Sequence, residues 1–340
     1  MMSNYGRLAR MPVKAQHHLS GVRRFAQVSN AKVEPFLLED MSEYKTGNEE
    51  ALPPFVISRQ RGFLPRKDPL VHLPDTFSTL DSLLKRMTIH QPADKNGVRA
   101  PGLLAKGDFG QAVQDELKAD GIEMKTVEQV IASGNTQLIS ALFRDYCFMT
   151  SAYLLEPVDR SFRKTGFYDK GRDVLPRQLA VPLKRLADAL GHYPYMEYAS
   201  SYALSNYQVK DPNHQGLAGK YSFDNMELIR SFEDASGSER GFILVHVEMV
   251  SYSGKLVDNV EKALAAANCG DIRGFEAAFE ALLLTYRKIN QSMDTMWSRS
   301  LPKDYLNCKS KRAGRRLQLA HFLIVFAQID PSSSEQALQR

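Results

Sequence analysis

The chain has 340 residues, 43% of them apolar, and a formal net charge of +5; this is enough apolar material for one large core or two modest ones, and it argues against a disordered polyelectrolyte. Six basic side chains and no acid fall in residues 1–33, and six against two acids fall in 308–340, so the body, 34–307, carries a net charge of −5 and a general nucleic-acid or polyanion binder finds little support. The absence of any run of 18 apolar residues argues against a membrane span, and Cys147, Cys269 and Cys308, widely spaced without a CxxC, argue against a disulfide framework or a zinc site and fit a reducing compartment.

In chain order, residues 1–33 are Arg-rich and acid-free. Two readings stand: a mitochondrial transit peptide, with Arg23-Arg24-Phe25-Ala26 suited to removal nearby, or a basic tail without an address. A cytoplasmic or mitochondrial protein is expected, not a secreted one, because the continuous apolar segment of a secretory signal is missing. Residues 34–90 begin Pro-rich and loop-like, then a helix starts near Asp75 with Leu80, Leu83, Leu84 and Met87 at helical spacing. The stretch 91–109 reads as an exposed loop. Helices follow at about 110–119 and 126–133, and Leu138, Leu142, Cys147, Met149 and Tyr153 mark a long buried helix from Thr136 to Leu155.

Pro182 is expected as the first residue of a helix ending at Gly191. Another helix is expected from about Tyr195 to Tyr207, then a loop over 208–223 and short strand or turn structure over 225–232. A helix over 241–268 places Phe242, Val245, His246, Met249, Val250, Ser253 and Val257 on one face, since a helix repeats about every 3.6 residues. Phe275, Phe279, Leu282, Leu283, Tyr286, Ile289, Met293 and Trp297 mark a last long helix. The fold class is mainly α, with long antiparallel helices.

His246 is the most informative single residue, because a neutral imidazole buried without a hydrogen bond costs about 1 to 3 kcal/mol. It must meet a protein group, a water or a ligand, and a satisfied core histidine is the plain alternative to a ligand contact. The remaining histidines, His17, His18, His72, His90, His192 and His214, are isolated and lack metal-ligand spacing. No GxGxxG, GxxxxGK[ST] or GxSxG occurs, so nucleotide binding and serine hydrolysis have no sequence support.

One ordered series carries more. It runs Gly-Arg-Asp-Val-Leu-Pro-Arg-Gln-Leu-Ala-Val-Pro-Leu (171–183), Tyr198-Ala199, Leu204-Ser205-Asn206-Tyr207, Lys210-Asp211-Pro212, Ser231-Phe232-Glu233-Asp234 and Gly241-Phe242-Ile243-Leu244-Val245. From about Phe36 to Asn307 the chain resembles the indoleamine 2,3-dioxygenase family, haem enzymes that open the indole ring of tryptophan with molecular oxygen. The resemblance implies a small N-terminal domain (34–170) packed on a larger helical domain (171–307) that holds haem b. It implies L-tryptophan and O2 as substrates, N-formylkynurenine as product on the kynurenine route to nicotinamide nucleotides, an electron donor that keeps the iron ferrous, and a monomer. It makes Phe242 a pocket residue against the indole. His246, one turn on, accepts the indole N–H or orders a water beside the bound oxygen, and both residues lie on the distal side of the haem. Ser201, Tyr202 and Tyr305 are further candidate substrate contacts, although the spacing from Tyr198-Ala199 to Leu204 is one residue longer than in the family.

The chain departs from the family after Pro302-Lys303-Asp304-Tyr305-Leu306-Asn307. Ser310 stands where the family has the arginine that binds the substrate carboxylate, and the Gly-Ser-rich loop and the proximal histidine have no match, so no metal ligand is assigned. The tail, 308–340, reads as unrelated coding sequence from a read-through intron, a frameshift or a truncated gene model. His321, within an apolar stretch, has suitable chemistry for haem but no family resemblance. Two expectations follow: a haem dioxygenase whose activity is impaired in this chain, or a non-catalytic helical fragment without an axial ligand that serves at most to bind a partner.

Overall fold

The computed structural model describes residues 37–301, apart from residues 120, 216 and 234–236. The basic leader, Tyr305, Ser310 and His321 lie outside the described residues. The elements are α1 (Ser42–Lys45), α2 (Ser78–Met87), β1 (His90–Ala93), β2 (Arg99–Pro101), α3 (Leu103–Lys106), α4 (Phe109–Glu116), α5 (Ile122–Ser133), α6 (Thr136–Thr165), α7 (Arg177–Leu190), a π-helical turn (Tyr198–Ala203), β3 (Tyr207–Val209), α8 (Leu217–Lys220), β4 (Met226–Leu228), α9 (Ser238–Ser251), α10 (Ser253–Cys269), α11 (Ile272–Asp294) and α12 (Met296–Arg299). The mainly helical expectation holds.

Helix α6 runs through the core. Its residues from Ala141 to Tyr153 are buried without a break, as a helix surrounded by other elements requires. Asn135 caps it, its Oδ1 accepting from the Leu138 N–H at 3.1 Å, and Gly166 caps its end at Thr165, ten residues beyond the predicted Leu155. Pro157 lies inside the helix, has no N–H, and so cannot bond the Tyr153 carbonyl four residues earlier. Arg172 replaces that donor: its Nη1 donates to the Tyr153 carbonyl and its guanidinium lies 4.4 Å from the centre of the Tyr153 ring. Arg172 also pairs with the buried Glu156 at 2.5 Å. Glu156 in turn accepts from the Phe109 and Gly110 N–H groups at 2.6 and 2.9 Å, where a carboxylate favours the first turn of α4.

The structure corrects four sequence expectations. The stretch 91–109 contains the β1–β2 hairpin and α3, not a plain loop. Its strands are short and almost wholly exposed, so they lack the alternation that reveals a strand, and Asp94 Oδ1 closes the turn on the Asn96 and Val98 N–H groups at 2.9 and 2.8 Å. Pro182 lies inside α7, which begins at Arg177; it is buried, as are Leu179, Leu183 and Leu186 of the same helix, and that burial offsets the missing bond.

The segment 195–207 is a π-helical turn that bends into β3, not one helix. The Tyr202 and Leu204 N–H groups bond the carbonyls of Glu197 and Ala199, five residues back, at 3.1 and 2.9 Å. Such a turn closes over one residue more than an α-helical turn does. Asn206 then pairs with the Arg230 backbone in both directions, at 2.9 and 2.7 Å, drawing the chain into the β3–β4 ladder (Tyr207↔Leu228, Val209↔Met226).

The 241–268 helix is interrupted at Tyr252, between α9 and α10. The Ser251 and Ser253 hydroxyls turn back onto the Glu248 and Val250 carbonyls at 2.6 and 2.5 Å, which bends helices. The 59–63 segment also presses in: Phe63 N–H donates to Ser253 Oγ at 2.8 Å, and a Cβ on Gly254 would stand 2.6 Å from the Arg59 carbonyl oxygen. Gly270, at φ +75°, lets α11 turn back along α10. The predicted apolar stripe of α11 is largely open, with Phe279, Leu283 and Tyr286 each about half exposed. Among the described residues no helix is long and apolar enough to cross a membrane.

Candidate functional site

Helix α9 owes its position to two contacts near its start. A Cβ on Gly241 would lie 1.9 Å from the Arg299 carbonyl oxygen, so only glycine lets α9 approach the end of α12 this closely. Glu239, in the first turn, is buried and accepts from the Phe232 and Glu233 N–H groups at 2.9 and 2.8 Å and from the Tyr202 hydroxyl at 3.0 Å. One carboxylate therefore joins the Ser-Phe-Glu-Asp segment, the π-helical turn and α9.

Helix α9 buries Ile243, Leu244, Val245 and Val247 completely, whereas Phe242, His246, Met249 and Val250 are half-buried. Of the stripe singled out in the sequence, Val245 and Ser253 are therefore buried, while Phe242, His246, Met249 and Val250 lie on the partly open side of the helix. Tyr198, at the start of the π-helical turn, faces it. The three rings meet edge to face: Phe242 and His246 centroids are 4.8 Å apart, Tyr198 and His246 5.5 Å, and Tyr198 and Phe242 6.0 Å, as aromatic quadrupoles prefer.

His246 Nδ1 lies 2.7 Å from the Phe242 carbonyl oxygen. A carbonyl only accepts, so Nδ1 carries the hydrogen of the neutral ring and Nε2 carries the lone pair. In the neutral ring the acceptor is therefore Nε2, and the bond to the Phe242 carbonyl ties the ring to its own helix.

Ser201 and Tyr202 are also brought to this turn, but both are fully buried. Ser201 Oγ donates to the Glu197 carbonyl at 2.9 Å and accepts from the Glu197 N–H at 3.0 Å, while the buried Cys147 thiol, pushed up by burial, lies against it. Tyr202 stacks on Phe148 and Phe232, with centroids 5.8 and 6.2 Å away. Both side chains back the open face and do not form its surface. Tyr305 lies outside the described residues.

Sequence reasoning did not assign Tyr198 or Glu239. Tyr198 sat within a quoted dipeptide, but its meeting with His246 spans 48 positions and has no local signature. Among the described residues no group of three or more His, Cys, Asp or Glu side chains could hold a metal ion.

A family model for indoleamine 2,3-dioxygenase matches residues 51–308. The chain is similar to indoleamine 2,3-dioxygenase 1 of Mus musculus, with 25% identity over 232 residues that cover 67% of this chain and 47% of that protein. It is also similar to indoleamine 2,3-dioxygenase 1 of Rattus norvegicus, with 28% identity over 149 residues that cover 44% of this chain and 33% of that protein. The chain matches less than half the length of each of these relatives.

Proposed function

The chain belongs to the indoleamine 2,3-dioxygenase family, and we propose that it acts on the indole ring of L-tryptophan, joining it with O2 to give N-formylkynurenine. The observation that carries this reading is the Tyr198–Phe242–His246 ring cluster on the half-open face of α9, which lies inside the segment matched to the family.

The residues present fit one side of a haem. The face holds three aromatic rings and two flexible or branched apolar side chains, Met249 and Val250, with no carboxylate or ammonium among these five. Phe242 and His246, with Tyr198 beside them, would lie on the distal side of haem b. The bound haem supplies the iron centre that activates molecular oxygen.

The chain's own residues do the rest. Phe242 and Tyr198 pack against the indole plane and exclude water. His246 Nε2 accepts the indole N–H and so sets the orientation of the ring, an acceptor role that the hydrogen on Nδ1 secures. In the overall reaction the C2–C3 bond of the indole breaks and both oxygen atoms stay in the product, so no net electrons are consumed. The electron donor serves only to hold the iron ferrous. This places the reaction at the entry of the kynurenine route.

The test is to titrate the 340-residue chain with haem, follow the Soret band, then supply L-tryptophan, O2 and a chemical reductant and assay N-formylkynurenine by chromatography. Haem uptake with haem-dependent product supports the proposal. Featureless absorbance and no product overturn it in favour of a non-catalytic member of the family.

A further inference from the structure

Helix α11 buries its small residues and exposes its large ones. The buried face carries Ala278, Thr285 and Ser292, which suit close packing beside α10, whose Ala263 and Ala266 are likewise buried. Ile272 is 72% exposed, and Phe279, Leu283, Tyr286 and Met293 are each about half exposed. At about 100° per residue these five share one stripe. A helix side that faces only water carries polar residues instead, so a covering partner is expected.

The spacing of the stripe says what fits it. Ile272, Phe279, Tyr286 and Met293 recur every seven residues, and Leu283 stands four after Phe279 and three before Tyr286, the repeat of a helix that packs lengthwise on another helix. Glu276 and Asn290 fall in the same seam; polar residues there fix register at a cost in stability. Along one edge of the seam Arg273, Glu280, Arg287 and Asp294 also recur every seven residues, alternate in sign and are exposed. None of these four is ion-paired with another described residue. Read backwards, the row is complementary to itself. When two copies of α11 lie antiparallel about a two-fold axis beside Leu283 and Leu284, Arg273 meets Asp294 of the second copy and Glu280 meets its Arg287, because the same edge of each seam faces the other. With Phe275 and Trp297, also exposed, the stripe offers about 700 Å², at about 100 Å² for each large side chain, near the roughly 800 Å² per partner of a stable interface.

We propose that the exposed face of α11 binds a second copy of this chain, as an antiparallel two-fold pair held by the apolar stripe and kept in register by contacts of Arg273 with Asp294 and of Glu280 with Arg287. A segment of the chain's own 302–340 region fits less well, since the charges in 308–316, ahead of its apolar stretch, are all basic and leave Arg273 and Arg287 without a counter-charge. The pairing departs from the monomer that the family resemblance implies. It is independent of the proposed dioxygenase activity, since neither haem nor tryptophan enters it.

The test is sedimentation equilibrium of the 340-residue chain over a wide range of concentration, with circular dichroism to show that each variant is folded. A monomer–dimer equilibrium is expected, and Leu283→Glu, at an exposed position, leaves monomer. Glu280→Arg and Arg287→Glu each set like charges together twice across the axis and weaken the dimer about tenfold. An equimolar mixture of these two variants recovers the original affinity, because the two chains then carry opposite charges where they meet. A monomer at every concentration, the result expected if residues 302–340 cover the stripe, overturns the proposal, as does a dimer that Leu283→Glu leaves intact. A mixture that associates no more tightly than either single variant overturns the antiparallel register, and assemblies larger than a dimer overturn the two-fold pairing.

Discussion

The Phe242 carbonyl oxygen and His246 Nδ1 are 2.7 Å apart, one turn from each other on α9. The bond satisfies the histidine locally, as the plain reading of a lone histidine in an apolar stripe expects, and at the same time aims its other nitrogen. A residue satisfied within its own helix thus still has its second ring nitrogen oriented by that bond.

In haem-loaded protein, His246→Ala is expected to lower kcat/KM about tenfold, the worth of one oriented neutral hydrogen bond. Because the ring is half-buried, the melting temperature should change little. Phe242→Ala should act mainly on KM. Steady-state assays paired with thermal melts check this, and unchanged turnover in both variants removes the pocket assignment.

Arg172→Ala is expected to destabilise the fold by about 2 to 4 kcal/mol, because it strips the buried Glu156 of its cation and the Tyr153 carbonyl of its donor. Pro157→Ala restores an N–H four residues after Tyr153. The double variant should therefore lose less than the two single losses combined, which a double-mutant cycle by urea unfolding measures. Strict additivity would show that Arg172 does not replace the bond missing at Pro157.

Gly241→Ala is expected to cost about 1 to 3 kcal/mol, since its Cβ would meet the Arg299 carbonyl at 1.9 Å and α12 would have to shift. Equilibrium denaturation reads the loss. A neutral result would mean that α12 moves away at no cost.

Burial pushes the Asp68 carboxyl up, but Arg61, Lys220 and the Tyr221 hydroxyl more than reverse this and hold it at about 2. A pKa depressed below the unfolded value of about 4 gives stability that is present above pH 4 or so and lost as pH falls toward 2. Asp68→Asn should lower stability near neutral pH by about 1 kcal/mol, a small figure because a third of the side chain meets water. It should also flatten the acid limb of the stability curve. Denaturant midpoints across the acid range check both, and an unaltered limb would show that other carboxylates dominate it.

The helical elements were legible where burial follows a local period. Leu80, Leu83, Leu84 and Met87 are all buried on α2, and the long helix from Thr136 is present. The failures came where contacts far along the chain overrode local preference. Examples are Asn206 bonding Arg230 to end the turn, and the 59–63 segment pressing on Gly254 at the α9–α10 junction.

By itself the sequence determined the family, through an ordered series of motifs, and the sharing of one face by Phe242 and His246, because residues four apart on a helix are neighbours whatever surrounds them. Only the tertiary structure decided that this face is the half-open one, that Tyr198 completes the cluster, and that α11 turns its large apolar side chains outward. Periodicity fixes which side chains lie together on an element. Which side is covered depends on the other elements packed against it, and that is settled by contacts between residues distant in sequence.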